Sequence, residues 1–317
     1  MSDRPGRLVV VAANPSIDRL HEVDRLDVGA INRPVRVVPV AGGKGLNLAR
    51  AAVALGGDVT VVALLGGHAG TWIADRLADA GVGASLVEVA AETRTCVTVV
   101  DRSSGQLTEF YEAGEPLEAG AWDRLEAAVV AELDRGGVAG LAMSGSLPPG
   151  APADGYARLV RLAGERSVAA FVDGHGDALA AAIGAGPAVV KVNAAEAGGV
   201  TGTPVDTAED AVRAARTIAA RGVGAVIVTL GSEGAVGVAS GTAWQFRGAD
   251  VRGSYPVGSG DAFLAGLAVG LASGRSFIES ARLAMAAGAA NALAPGAGVL
   301  DPAVARTLLD RISVERA

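Results

Sequence analysis

The sequence predicts an α/β protein with a doubly wound, mostly parallel sheet and a small β lid. Two observations carry this. Short apolar runs alternate with alanine-rich helical stretches, and two strand-like insertions break that alternation. The runs Leu8–Ala13, Val59–Leu64, Val138–Met143, Val168–Val172, Ala188–Val192 and Ala225–Leu230 are continuously apolar, as strands covered on both faces should be. Helical patterns near 45–56, 70–80, 120–134, 153–165 and 207–221 fall between them. A βαβα order requires parallel strands joined by right-handed crossovers.

The first insertion, residues 18–41, has strand-like segments Leu20–Val28 and Val35–Val40 with no helix between them. The second gives Thr95–Asp101, a turn at Ser103, Ser104 and Gly105, and Leu107–Tyr111, which reads as a hairpin. Together they are expected to form the lid, 14–41 and 94–113, over a core of 1–13, 42–93 and 114–317, the other reading being edge strands of the main sheet. After a hairpin around Gly241 the chain turns helical: Gly258–Ser273, Phe277–Leu293 and Pro302–Ile312.

Composition narrows the function. Half of the 317 residues are hydrophobic and 19% are charged, which excludes a disordered chain. One cysteine, Cys96, and three histidines, His21, His68 and His175, argue against a disulfide scaffold and a Cys/His metal centre. A net charge of -7 argues against a nucleic-acid or anionic-membrane surface. No run reads as a membrane span and the first residues do not read as a signal peptide, so the expected location is the cytoplasm. Only Lys44 and Lys191 among 27 basic residues are lysine. A GC-rich coding bias explains the scarcity, and the lysines that survive it are candidates for a site that needs a compact ammonium.

Common nucleotide motifs are missing: no P-loop, no Gly-x-Gly-x-x-Gly after the first strand, and no protein-kinase signature. Two other glycine motifs open helices. In Gly258-Ser259-Gly260-Asp261 the glycines let backbone N–H groups approach an anion, and the helix N-terminus adds partial positive charge. Asp261 sits beside that hole, where a carboxylate accepts the proton of an attacking hydroxyl. The same residues also fit an ordinary helix cap. In Gly42-Gly43-Lys44-Gly45-Leu46-Asn47 the first turn carries an ammonium and an amide, suited to an oxyanion and to hydroxyls or, more simply, to a glycine-rich connection with a solvated lysine.

These two motifs, with Ser144-Gly145-Ser146-Leu147-Pro148-Pro149-Gly150, Asn193-x-x-Glu196 and Thr229-Leu230-Gly231-x-x-Gly234, resemble in identity and order the ribokinase/PfkB carbohydrate kinases. The resemblance covers nearly the whole chain. Asn14-Pro15-Ser16-Ile17-Asp18, Asn32-Arg33 and the Ser-Gly-Ser-Leu-Pro-Pro-Gly run are most similar to the 1-phosphofructokinase and tagatose-6-phosphate kinase branch. The resemblance implies an ATP- and Mg²⁺-dependent kinase. Asp261 would be the catalytic base, and Gly258, Ser259 and Gly260 the anion hole for the γ-phosphoryl group. Asp18, Gly42, Gly43, Asn47 and Ser144 would meet the sugar, and Lys44 and Arg94 its phosphate. Lys191, Asn193, Glu196, Thr229, Gly231, Gly234 and Asn291 would surround the nucleotide, Asn291 near the adenine and Glu196 orienting Mg²⁺ through water. The lid would also join a homodimer.

Two residues depart from the branch pattern: Val192 stands where proline is usual, and Ser259 where alanine is commoner. The first acceptor choice is fructose 1-phosphate, giving fructose 1,6-bisphosphate. Tagatose 6-phosphate, fructose 6-phosphate, a neutral sugar or nucleoside, and a non-catalytic sugar-phosphate sensor stay open.

Overall fold

A computed structural model describes residues 6–248, 251 and 253–317. Its strands form two sheets. The larger has ten strands, in the order β14-β13-β12-β11-β10-β9-β8-β1-β4-β5. Six of these are parallel throughout: β1 (Arg7–Ala12), β4 (Val59–Leu65), β5 (Gly83–Glu88), β8 (Val138–Ser144), β9 (Ala169–Asp173) and β10 (Val189–Asn193). β11 (Ala225–Thr229) extends them, and β12 (Ala235–Ala239), β13 (Thr242–Arg247) and β14 (Ser313–Arg316) continue antiparallel. Val9, Val10, Val11, Val61, Val62 and Leu141 are fully buried, so the unbroken apolar runs do mark strands covered on both faces.

Strand order reverses between β1 and β8. From β1 the chain builds outward to β4 and β5, then crosses to β8 and builds the other way. Ligand crevices of open α/β sheets form at the carboxyl ends of strands beside such a reversal. Around the sheet lie α1 (Lys44–Ala54), α2 (Gly67–Asp79), α3 (Ala121–Asp134), α4 (Gly155–Gly164), α5 (Gly176–Gly184), α6 (Ala194–Thr201), α7 (Ala208–Ala219), α8 (Ser259–Ala272), α9 (Phe277–Ala292) and α10 (Pro302–Leu309). α8 buries every residue from Asp261 to Gly270. It lies against α9 through Gly266 and Gly270, where an added Cβ would come within 2.8 Å of the Cα atoms of Ala284 and Ser280. Helices this close leave α8 no room to shift, which fixes the position of its first turn.

The second sheet has the order β3-β2-β6-β7, from β2 (Ser16–Val23), β3 (Arg36–Gly42), β6 (Thr95–Asp101) and β7 (Leu107–Tyr111). It is a separate sheet, not an edge of the main one. β2 pairs antiparallel with β3 and parallel with β6.

The expected strand Leu20–Val28 is displaced to Ser16–Val23. Pairing ends there because the chain leaves the sheet at Asp24, and Val28 is 96% exposed. The turn beyond is closed by Asn32, whose side chain accepts from the Asp27 amide and donates to its carbonyl. Four elements escaped the sequence reading. β5 and β14 are edge strands with mostly exposed residues. α5 and α6 are short and too alanine- and glycine-rich to show a period.

The ring of Phe171 fills the space over Gly140, where a Cβ would come within 2.3 Å of it. Phe171→Ala should cost about 3–5 kcal/mol, read as a lower denaturant midpoint at unchanged m-value.

Candidate active site

Strand ends assemble the site. Ser144, Asp173, Asn193 and Thr229 are the last residues of β8, β9, β10 and β11, so one edge of the sheet presents them in a row. Opposite them stand the first turns of α1 and α8.

Asp261 is held at both oxygens. Asn47 Nδ2 donates to Oδ2 at 3.0 Å, and Ser144 Oγ donates to Oδ1 at 3.3 Å. All three residues are 4% exposed. Burial raises the carboxyl to about 6, against the opposing pull of the Lys44 charge. A carboxylate needs no such shift to act as a base in phosphoryl transfer, so the elevated value is a property of this site's dryness. The N-cap of α8, Gly258, has φ 82°, and a Cβ there would lie 2.5 Å from the Gly298 nitrogen. Only glycine meets both conditions. The Ser259 N–H is used by the Pro256 carbonyl at 3.1 Å. The N–H groups of Gly260 and Asp261 have no acceptor among the described residues, and they constitute the helix-mouth donors.

Lys191 lies at that mouth. A Cβ added to Gly260 would sit 2.8 Å from its Nζ. Its ammonium is bonded to Asp173 Oδ2 at 2.7 Å. Lys44 Nζ lies 3.4 Å from the other oxygen of Asp173 and 3.9 Å from Glu196 Oε1. Burial acts to raise the Asp173 carboxyl, yet Lys191 and Lys44 overbalance it and hold the group below its ordinary value. Lys44 is raised, chiefly by Asp173.

Asp173 was missed in the sequence, where a lone aspartate ending an apolar run has no motif. Its signal was positional: strand β9 ends on it as β8 ends on Ser144. Lys44 was expected with Arg94 at the acceptor's phosphate; its ammonium lies against Asp173 and Glu196.

Arg94 is at the base of the lid, donating to the carbonyls of Glu112 at 2.7 Å and Asn14 at 3.0 Å, with its buried Nε left without a partner among the described residues. Asp18 lines a narrow cleft under the lid with Leu20, Val40, Thr98, Val257 and Ala297. Burial raises its carboxyl, while bonds from Ser16 at 2.6 Å and the Gly43 N–H at 3.2 Å act the other way. Gly42 and Gly43 are obligatory: a Cβ would meet the Asp18 carboxylate at 2.1 Å in the first case and the Pro15 Cα at 2.9 Å in the second. Asn47 is turned to Asp261 instead of to open cleft.

On the other side, Asn193 and Glu196 form the capping box of α6, with both bonds at 2.8 Å. Glu196 Oε2 is used there, and Oε1 faces Lys44. No group of three or more potential metal-ligating side chains occurs among the described residues. A single carboxylate oxygen without a hydrogen bond among the described residues is compatible with a hydrated Mg²⁺, which keeps several waters and takes few protein ligands. Thr229 pairs with Asn193 across β10 and β11, and Gly231 and Gly234 bend the following turn.

Asn291 is displaced from its expected role. It is fully buried, and Nδ2 donates to the Val257 carbonyl at 2.9 Å and to Ser259 Oγ at 3.3 Å. It therefore holds the loop entering α8 and has no surface left for an adenine. Ser259 likewise faces Asn291.

The profile of the pfkB family carbohydrate kinases matches residues 7–303. A 1-phosphofructokinase of Rhodobacter capsulatus is 35% identical over 289 residues, 88% of each chain. A tagatose-6-phosphate kinase of Staphylococcus epidermidis is 30% identical over 289 residues, 90% of this chain and 92% of that one. Among solved structures, the tetrameric inhibited form of phosphofructokinase-2 from Escherichia coli superposes with a TM-score of 0.88 at 29% identity, over 96% of this chain and 99% of that one. No helix among the described residues is long and apolar enough to cross a membrane. A lid sheet, a helix mouth with a seated aspartate and a profile match across almost the whole length lead to one conclusion: the chain is a phosphotransferase acting on an alcohol group and belongs to the pfkB family of carbohydrate kinases.

Proposed function

We propose that the protein transfers the γ-phosphoryl group of ATP, with Mg²⁺, to a hydroxyl of fructose 1-phosphate, giving fructose 1,6-bisphosphate. The observation that supports the transfer is the seating of Asp261, fixed at both oxygens beside two free helix N–H groups and the Lys191 ammonium. The acceptor hydroxyl attacks the γ-phosphorus in line. Its new O–P bond forms as the bond to the β-phosphate oxygen breaks, and its proton passes to Asp261. Gly260, Asp261 and Lys191 receive the charge spread over the phosphoryl oxygens. Glu196 and the phosphates would hold Mg²⁺, which neutralises the donor's charge when bound. Lys44, standing by Glu196, serves the nucleotide phosphates.

At the acceptor end, Asp18 accepts from sugar hydroxyls, and Arg94 meets the acceptor's phosphate from the lid base. The choice of fructose 1-phosphate rests on the similarity to the 1-phosphofructokinases. Thr229, Gly231 and Gly234 border the nucleotide. The lid excludes water, the competing acceptor. Such a reaction belongs in the cytoplasm, where ATP and sugar phosphates are found.

The lid also supports a homodimer. Val37 and Phe110 are 46% and 61% exposed and share its outer face by register, while Val28 and Ile31 project from the adjoining turn at 96% and 81%. Exposed apolar groups gathered on one small sheet favour association.

With a panel of ketohexose phosphates, ADP release should be fastest with fructose 1-phosphate. Tight binding with no turnover on any sugar would leave a sensor, and preference for another acceptor would move the substrate. Asp261→Asn should lower kcat about 10²–10⁴-fold with little change in substrate affinity. In the wild type, kcat/KM should rise as the pH passes through about 6, since the carboxylate is the acting form. That limb should vanish from the residual activity of the variant. Sedimentation should show a dimer, and Phe110→Asp should shift it to monomer.

A further inference from the structure

Arg50 lies three residues beyond the Gly42–Asn47 motif, and no part of the proposed reaction uses it. It lies part-buried on α1, one turn after Asn47. Nη1 donates to Asn47 Oδ1 at 3.3 Å and to the Ala297 carbonyl, and Nη2 donates to the Ala41 carbonyl. These acceptors belong to three different parts of the molecule. Ala41 is in β3, where the lid rejoins the core. Ala297 is in the loop that backs the α8 N-cap: a Cβ on Gly258 would lie 2.6 Å from the Ala297 Cα. Asn47 holds Asp261.

The amide of Asn47 stands between two groups of opposite character. A guanidinium only donates, and an ionised carboxylate only accepts. One orientation satisfies both: Oδ1 toward Arg50 and Nδ2 toward Asp261. Without a donor at position 50 the amide is free to turn over. Its Oδ1 would then face the carboxylate, replacing a bond with a repulsion. The same guanidinium stays charged beside Asp18 and Asp261, whose fields oppose the effect of its burial.

We infer that Arg50 is a positioning residue that acts through Asn47, locking the amide that aims Asp261 and tying the lid's return strand to the loop behind the phosphoryl-binding helix mouth. This rests on Asp261 being the base. A misaimed base lowers the rate of the chemical step more than it weakens binding.

A double-mutant cycle on kcat tests it. R50K keeps a cation but cannot reach all three acceptors at once. It should lower kcat about tenfold, while the KM values for ATP and for the sugar phosphate stay within about twofold. N47A removes the element through which Arg50 acts, so the R50K/N47A protein should be no slower than N47A alone. Fully additive losses would overturn the inference, as would wild-type kcat in R50K. R50M serves as the second variant, and where it folds it should show the same non-additivity with N47A. A role in stability alone would lower the melting temperature and leave kcat of the folded enzyme intact, which also overturns it. Failure of the base assignment itself would show separately, as undiminished turnover in Asp261→Asn.

Discussion

The site is organised around one buried charge. Asp173 is completely excluded from solvent and accepts from Lys191 on one oxygen and Lys44 on the other. A carboxylate buried alone would be costly; flanked by two ammoniums it is stable, and it holds them where they would otherwise repel each other. Lys191 comes from a central strand and Lys44 from the first turn of α1. The contact therefore welds the sheet to the helix that carries Asn47. The protein, acidic as a whole, thus gathers both of its lysines around one carboxylate.

The fold determines which charges stay dry. α8 is surrounded by core, and its first turn faces the strand ends across Asn47 and Ser144. That depth raises the Asp261 carboxyl, whereas the lysine pair holds Asp173 down. Two aspartates a short distance apart are thus pushed in opposite directions by their surroundings. One is a fixed anion that holds cations, and the other is poised to exchange a proton.

Much of this architecture was readable from residues alone because its determinants are local. A strand covered on both faces is apolar throughout, and glycines opening a helix leave its first N–H groups accessible. Val9–Val11 and Gly258–Asp261 announce themselves for those reasons. Asp173 and Arg50 do not, because their meaning lies in what they meet: lysines 129 and 18 residues away, and carbonyls at Ala41 and Ala297. Lys44 and Asn291 were recognised as chemically important, but their directions depend on packing. Lys44 turns to a carboxylate that had no motif, and Asn291 turns inward to support a loop. The edge strands β5 and β14 escaped for a simpler reason: half-exposed residues carry no continuous apolar signature.

The parallel seam between β2 and β6 joins stretches separated by α1, β4, α2 and β5. Each half of the lid can close on itself, β2 with β3 and β6 with β7, through local turns. The seam cannot form until the crossovers of the main sheet have brought its two sides together. Contacts so distant in sequence carry a large loop-closure cost. The completed seam therefore marks a molecule whose first half is already in order.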